Sequence, residues 1–201
     1  MLGDIAPLAE IAQLKKKYDF CLMVDEAHSL GVLADGRGTA AHFGITDQVD
    51  LVMGTFSKAF ASLGGVVVGD AKIIDYIKHN ARSLIFSASM PPSNVAAVQA
   101  ALRIIKSEPE RVTRVHEIAA YMRQGYASLG FQTGNSQTPI IPILIGDDAK
   151  TLAVWHALFD AGIYVNAVVP PAVPPALSLL RTSYMATHTY EQLDRVLETF
   201  G

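Results

Sequence analysis

Three short apolar runs, each followed by a polar or charged segment, constrain the fold of this chain most strongly. "FCLMVDE" (20–26) and "VDLVMGTFSK" (49–58) both end in polar residues, and "GGVVVGD" (64–70) is entered through two glycines. A continuous apolar run such as the first is typical of a strand whose two faces are both buried. In open α/β sheets, ligands bind at the carboxyl ends of the strands. The polar ends of the first two runs therefore predict a functional site.

Helical patterns alternate with these runs, which predicts an α/β protein. Pro92 is suited to the first turn of one helix. Helices are expected at about 6–17, 71–82, 93–106, 109–129, 149–161 and 189–200, and further strands at 138–146, 163–167 and 177–184, with a proline-rich loop at 168–176. We place a division between residues 1–104 and a smaller unit at 105–201.

Composition narrows the class of protein. Half of the 201 residues are hydrophobic and 17% are charged, which is typical of a packed globular protein. The net charge of −3 and the lack of a basic stripe argue against a nucleic-acid partner. Cys21, the single cysteine, cannot form an internal disulfide and is expected to be a buried thiol. No signal peptide or long apolar span is evident, so we expect a soluble, cytoplasmic protein without a membrane span.

The letters Asp-Glu-Ala-His, at residues 25–28, suggest a helicase box. That motif requires a phosphate-binding loop, G-x-x-x-x-G-K-[ST], upstream of the acids. Only 24 residues precede Asp25, and they contain no such loop. The other histidines have no metal-ligand spacing, so no metal site is predicted: His42, His79, His116, His156 and His188.

Lys58 offers another explanation for the acids. It follows the second apolar run, among small hydroxyl residues that can approach a phosphate, and Asp25 ends the first run. A lysine amine can form a Schiff base with an aldehyde. Pyridoxal phosphate is the cofactor that requires a lysine, a carboxylate for its pyridinium nitrogen and hydroxyls for its phosphate. The carboxylate favours the charged, protonated ring nitrogen.

Several motifs together resemble the α-oxoamine synthases, and the resemblance covers essentially the whole chain. They are "GDIAPL", "VDEAHSLGV", "GRG" (36–38), "GTFSKAFASLGG", "IFSASMPP", "PPAVPPALSLLR" and "MATHT". The resemblance implies a fold-type I pyridoxal phosphate enzyme, with part of the large-domain sheet and a small C-terminal α+β domain. It also implies a homodimeric acyltransferase that condenses an amino acid with an acyl-CoA and releases carbon dioxide.

The resemblance further implies roles for individual residues. Asp25 would pair with the pyridinium nitrogen and His28 would hydrogen-bond the ring hydroxyl oxygen, a place where many aminotransferases have tyrosine. Thr55 would bind the phosphate and Lys58 would carry the cofactor. Arg181 would hold the substrate carboxylate through its planar guanidinium. Ser87 or Ser89 would reach the phosphate of a neighbouring subunit. Glu26 and Ser29 are either supports of this site or structural caps.

The substrate pair stays open among the members of the family. "GTFSK" and "HNARSLIFSAS" are most similar to bacterial serine palmitoyltransferases, whereas "NAVVPPAVP" and "MATHTYEQLD" are also similar to 2-amino-3-ketobutyrate CoA ligases, the glycine C-acetyltransferases. We favour serine with a long-chain acyl-CoA over glycine with acetyl-CoA or an 8-amino-7-oxononanoate synthase. A non-catalytic partner subunit or fragment is the alternative of another class, and the presence of Lys58 argues against it.

The family's preceding half, with a residue that stacks on the cofactor ring and a phosphate-binding turn, has no counterpart in these residues. The first residues lead almost directly into a helix, "MLGDIAPLAEIAQLKKKY". The chain is expected to be the later part of a longer enzyme, to have the missing part supplied by another chain, or to be a decayed relative. As a part of a longer enzyme it would have an open sheet edge and an uncovered apolar face. Alone, it is expected to associate or dissolve poorly and to bind pyridoxal phosphate weakly or not at all.

Overall fold

The computed structural model describes all 201 residues, which form two compact units. The first unit comprises residues 6–112, and the second comprises residues 1–5 and 113–201. The helix α6 (Glu110–Ser128) begins in the first unit and continues into the second.

The first unit contains one three-stranded sheet and five helices. Its strands are β1 (Met23–Asp25), β2 (Leu51–Thr55) and β3 (Gly65–Gly69). Its helices are α1 (Leu8–Gln13), α2 (Thr39–His42), α3 (Ala71–Asn80), α4 (Arg82–Ile85) and α5 (Pro92–Ser107). The sheet order is β1-β2-β3, with β1 parallel to β2 and β3 antiparallel to it. The three strands predicted from the apolar runs are therefore confirmed.

Burial of the first strand differs from the prediction. Val24 is buried, whereas Met23 is 56% exposed, so β1 is buried on one face and not on both. The reason is that only one side of the strand faces a packed cluster, formed by Leu8, Ala12, Leu22, Val24, Ala40 and Ile45. No residue of β3 is buried. Cys21 is likewise exposed, contrary to the expectation of a buried thiol.

Local sequence signals explain where the helices begin. Asp70 accepts a hydrogen bond from the Lys72 N–H at 2.8 Å and caps α3, and Pro92 occupies the first turn of α5 as predicted. The predicted helix 71–82 ends at Asn80, and the short α4 follows it. None of the helices has the length and apolar character needed to cross a membrane.

The second unit packs three helices with a three-stranded antiparallel sheet. Its elements are α6, β4 (Ile140–Gly146), α7 (Asp148–Asp160), β5 (Asn166–Val168), β6 (Ser178–Ser183) and α8 (Tyr190–Phe200), with the sheet order β4-β6-β5. Ile118, Met122, Tyr126, Ile141, Ile143 and Leu180 are fully buried in its core. A Thr189–Gln192 capping box starts α8. This unit therefore has a closed apolar core of its own.

The strand predicted at 163–167 begins later than expected. Ladder pairing starts at Asn166, opposite Arg181, and ends at Val168. The indole N–H of Trp155 donates to the carbonyl oxygen of Val165 at 3.0 Å. Because this carbonyl is bonded to a side chain instead of a neighbouring strand, the ladder is confined to the residues after it.

An ion pair joins the segment after α1 to the start of β2. Asp50 accepts hydrogen bonds from the Lys15 ammonium and, at 2.6 Å, from the Leu22 N–H. The Lys15 ammonium also donates to the Gln48 carbonyl at 3.0 Å. The hydrogen bonds from Lys15 and Leu22 lower the pKa of the Asp50 carboxyl from its usual value. Asp50 therefore holds the ends of β1 and β2 together.

The lowered pKa of Asp50 predicts a pH dependence of stability. A carboxyl whose folded pKa lies below its unfolded value contributes stability above the unfolded pKa, about 4, and loses it as the pH falls through the folded pKa. Asp50→Asn should therefore flatten the fall in the free energy of unfolding between pH 5 and acid pH, measured by urea titration. Lys15→Met should flatten it only in part, because the Leu22 N–H remains. The double variant should match Asp50→Asn, and an unaltered slope in Asp50→Asn would contradict the assignment.

Candidate active site

The pairing of β1 with β2 brings the predicted site residues of the first unit to one edge of the sheet. Asp25 lies opposite Met53 in the parallel register, and the Glu26 N–H donates to the Met53 carbonyl at 2.8 Å. Parallel strands end at the same edge, so the residues that follow them share that edge. Asp25 and Thr55 therefore lie at the same edge of the sheet although they are 30 positions apart, and the Lys58 loop continues from that edge.

Asp25 is exposed and held by its own turn. Its Oδ1 accepts a hydrogen bond from the Ala27 N–H at 2.8 Å. A short side chain bonded to the backbone two residues on has a fixed direction. The carboxylate is therefore oriented by this hydrogen bond, and the residue is exposed. His28 is also exposed, on the same turn.

Lys58 lies on a tight loop between β2 and β3. Its carbonyl accepts from the Ala61 N–H at 2.9 Å, and Ala61 has a φ of 49°. The Ser62 N–H closes the loop by donating to Phe56 at 2.8 Å. The Lys58 side chain is exposed and forms no ion pair. The loop thus fixes the backbone of this lysine and leaves its amine accessible.

Hydroxyl groups are clustered at the end of β2. Thr55 Oγ1 and Ser57 Oγ are 2.9 Å apart, and Thr55 Oγ1 also contacts the Gly64 carbonyl at 3.3 Å. Both residues have accessible side chains. Hydroxyls and nearby backbone N–H groups at such a strand end suit the oxygens of a phosphate. Ser87 and Ser89 are exposed beyond α4.

The turn of Asp25 and the loop of Lys58 are in direct contact through a glycine. Gly31 has a φ of +80°, and a Cβ added to it would overlap the Cβ of Ala59. Leucine or alanine at position 31 would separate the two segments or strain the backbone. The glycine in "HSLGV" therefore permits the approach of the two segments.

A hydrogen-bonded pair that the sequence did not reveal anchors the other end of the lysine loop. Ser62 Oγ donates to the Asn94 carbonyl at 3.1 Å and lies 3.2 Å from the Asn94 amide nitrogen. The pair ties the loop to the first turn of α5. No sequence signal identifies it, because the partners are 32 residues apart and each is an ordinary surface residue type.

Arg181, in the second unit, has a different environment. It lies on β6 between Pro142 of β4 and Asn166 of β5. Its Nε is buried without a hydrogen-bond partner, and burial lowers the pKa of the guanidinium. No carboxylate of the chain forms an ion pair with it. A partly buried guanidinium with an unsatisfied donor is suited to bind an anion.

No group of three or more potential ligands among histidine, cysteine, aspartate and glutamate side chains could hold a metal ion. The chemistry of the site is that of one amine, an oriented carboxylate, an imidazole and hydroxyls.

Comparison with known proteins identifies the family. The model of the aminotransferase class I and II family matches residues 1–200. The chain belongs to this family. A serine palmitoyltransferase of Sphingobacterium spiritivorum is 53% identical over 199 residues, which are 98% of this chain and 50% of that protein. An 8-amino-7-oxononanoate synthase of Alkaliphilus oremlandii is 45% identical over 201 residues, all of this chain and 51% of that protein.

A solved structure has the same fold. A serine palmitoyltransferase with pyridoxal phosphate as an internal aldimine has a TM-score of 0.94 and 38% identity, covering 100% of this chain and 51% of its own. The predicted relationship and fold class are therefore confirmed. The chain spans about half the length of the curated relatives it matches.

The contact at Gly31 gives a stability prediction with a matched control. Gly31→Ala should lower the free energy of unfolding by about 1–3 kcal/mol more than Gly44→Ala does. Both glycines have positive φ, +80° and +66°, so both alanines strain the backbone, but nothing lies within 4 Å of a Cβ at Gly44. Urea unfolding of both variants measures the difference. Equal losses would show that the two segments are not in tight contact.

Proposed function

We propose that this chain carries the lysine, the ring-nitrogen carboxylate and part of the phosphate site of a pyridoxal phosphate-dependent acyltransferase. The proposed reaction condenses serine with a long-chain acyl-CoA and releases carbon dioxide and CoA. The observation that carries the proposal is the β1–β2 pairing, which brings Asp25 and the Lys58 loop to one strand edge. The relatives described above support the reaction type.

The residues at this edge fit pyridoxal phosphate. Lys58 offers an accessible amine, Asp25 an oriented carboxylate, and Thr55 with Ser57 a pair of hydroxyls 2.9 Å apart. The chemistry that such a site supplies when the cofactor is bound is an electron sink for a carbanion at the α-carbon of the amino acid.

The proposed role of Asp25 follows from its geometry. Its Oδ1 is held by the Ala27 N–H, so Oδ2 can face a cationic ring nitrogen. An opposite charge at hydrogen-bond distance favours the protonated form of that nitrogen. His28, three residues on in the same turn, is assigned to the ring hydroxyl oxygen. Together they would orient the ring and hold its proton.

Arg181 is assigned to the carboxylate of the amino acid. Desolvation makes an ionic hydrogen bond stronger than it is in water, and the unsatisfied Nε gives the guanidinium a donor to offer. The fork of donors on arginine matches a carboxylate in a bidentate arrangement that lysine cannot reproduce.

A second candidate is an 8-amino-7-oxononanoate synthase, favoured by the relative that is 45% identical over the whole chain. The serine palmitoyltransferase reading is preferred because that relative is 53% identical. The two reactions differ in the amino acid used, serine in the first and alanine in the second.

A homodimer in the cytoplasm is proposed for the complete enzyme. Three consecutive apolar residues next to Ser87 are exposed, Leu84 at 54%, Ile85 at 49% and Phe86 at 80%. Exposed apolar patches of this kind commonly mark interfaces. A second copy of the chain covering them would bring Ser87 close to that interface, as its assigned contact with a neighbouring phosphate requires.

Trapping of the cofactor tests the proposed function. The protein isolated from its source organism, reduced with borohydride and digested, should yield a pyridoxyl adduct on Lys58 in peptide mapping. Lys58→Ala should abolish the adduct, whereas Lys72→Ala, at another exposed lysine, should retain it. An adduct on a different lysine overturns the assignment of Lys58. The absence of any adduct overturns it too and favours a non-catalytic partner subunit.

Substitution of Arg181 tests the substrate carboxylate. Arg181→Lys should weaken amino-acid binding about tenfold or more, because a charged hydrogen bond is lost, and should spare cofactor loading. Arg123→Lys is the matched control, since Arg123 is also partly buried but donates to the Thr138 carbonyl at 2.8 Å. Spectroscopic titration with serine and with alanine measures both effects and separates the two candidate reactions. Unchanged affinity in Arg181→Lys would count against the role.

A further inference from the structure

Glu26, next to Asp25, is the most deeply buried ionisable side chain of the first unit, with 1% of its surface exposed. Its Oε1 accepts from the Ala40 N–H at 2.8 Å, and its Oε2 accepts from the Thr39 N–H at 2.6 Å and from the Ser29 hydroxyl. No lysine or arginine pairs with it. Three hydrogen bonds therefore satisfy this carboxylate without a counter-ion.

These hydrogen bonds join Glu26, at the end of β1, to Thr39 and Ala40, at the start of α2. The Glu26 backbone is bonded to β2 through its N–H and to Ser29 and Leu30 through its carbonyl, at 3.1 and 3.0 Å. Its side chain reaches the residues that start α2, 13 and 14 positions later. The turn that carries Asp25 and His28 is thus fixed at the strand by backbone bonds and from α2 by a buried carboxylate.

The glycine at position 38 makes room for that carboxylate. Gly38 has a φ of +98°, and a Cβ added there would lie 2.8 Å from Glu26 Oε2 and 2.9 Å from Cδ. Residues other than glycine rarely adopt such a φ, and a Cβ this close to Glu26 would displace its carboxylate. The close approach of Glu26 therefore accounts for the glycine at position 38, the second glycine of "GRG".

We propose that Glu26 is a positioning residue that holds the Asp25–His28 turn in place for cofactor binding. It acts through the segment it closes and not on substrate or cofactor, since its carboxylate is buried and fully bonded. The role of the turn in cofactor binding rests on the proposed function. The positioning of the turn by Glu26 depends only on contacts within this chain.

Amide hydrogen exchange tests the positioning directly. Glu26→Gln keeps the size of the side chain but replaces one acceptor oxygen with an NH₂ group that faces donors. Exchange should accelerate about tenfold or more at Thr39 and Ala40, and also at Ala27, whose N–H reports the position of Asp25. Asp70→Asn, at the cap of α3, is the matched control and should accelerate exchange at Lys72 while leaving Ala27 unchanged.

The outcomes separate a positioning role from a local cap. Acceleration at Thr39 and Ala40 with no change at Ala27 would overturn the proposal and leave Glu26 as a cap of α2 alone. If Glu26→Gln does not fold, Ser29→Ala removes one of the three donors and carries the same test with smaller effects at the same amides. No change at Ala27 in Ser29→Ala when Thr39 and Ala40 respond would also overturn it.

A second readout distinguishes failure of the positioning from failure of the proposed function. In the protein made from its complete natural gene and loaded with pyridoxal phosphate, Glu26→Gln should shift the pH midpoint of the cofactor absorbance change, and Asp70→Asn should not. A response at Ala27 without a shift in the absorbance titration would keep the positioning role and reject the assignment of Asp25 to the cofactor. Faster exchange at Ala27 together with a shifted absorbance midpoint supports both the positioning role of Glu26 and the assignment of Asp25 to the cofactor.

Discussion

The parallel pairing of β1 with β2 is the interaction on which the candidate site depends. Three residues of β1 are paired, and the Glu26 N–H extends the contact by one hydrogen bond to Met53. A slip of one residue would turn Asp25 to the opposite face of the sheet, because strand side chains alternate. The register is secured at the other end of the strands by Asp50, which bonds the Leu22 N–H and Lys15. An ion pair remote from the site thus contributes to its geometry.

Two adjacent acids at the end of β1 have opposite environments because of that alternation. Asp25 faces solvent with one oxygen bonded to Ala27, and Glu26 faces inward with both oxygens bonded. A buried carboxylate is tolerated only when its hydrogen bonds are made, and Glu26 has three. Asp25 is therefore accessible from solvent, whereas the buried Glu26 stabilises the loop. If the strand were turned over, Asp25 would be buried and Glu26 would be exposed.

The apolar runs and helical patterns were sufficient to predict the six strands and six of the eight helices, because both signals are local, whereas the four-residue helices α2 and α4 were not predicted. "FCLMVDE", "VDLVMGTFSK" and "GGVVVGD" each became a strand, and Pro92 lies in the first turn of its helix. What could not be predicted depends on distant partners. The exposure of Met23 depends on which elements cover the sheet, and the start of β5 depends on the Trp155 indole. The assignments of Asp25, His28, Thr55, Lys58, Ser87 and Arg181 rest on motifs, and their roles stay proposals.

The two units differ in which groups they leave without a partner: a buried hydrogen-bond donor in the second unit and exposed apolar side chains in the first. The second unit buries ten residues in a single closed cluster, yet leaves one donor of Arg181 unsatisfied within the chain. An unsatisfied buried donor destabilises a fold, so its presence in an otherwise well-packed sheet requires an explanation other than packing. The first unit has the reverse imbalance, with satisfied polar groups at Glu26 and exposed apolar residues at Met23, Val68 and Phe86. The unsatisfied donor lies where the proposed function requires a substrate carboxylate, and Phe86 lies in the apolar patch that is proposed as the dimer interface.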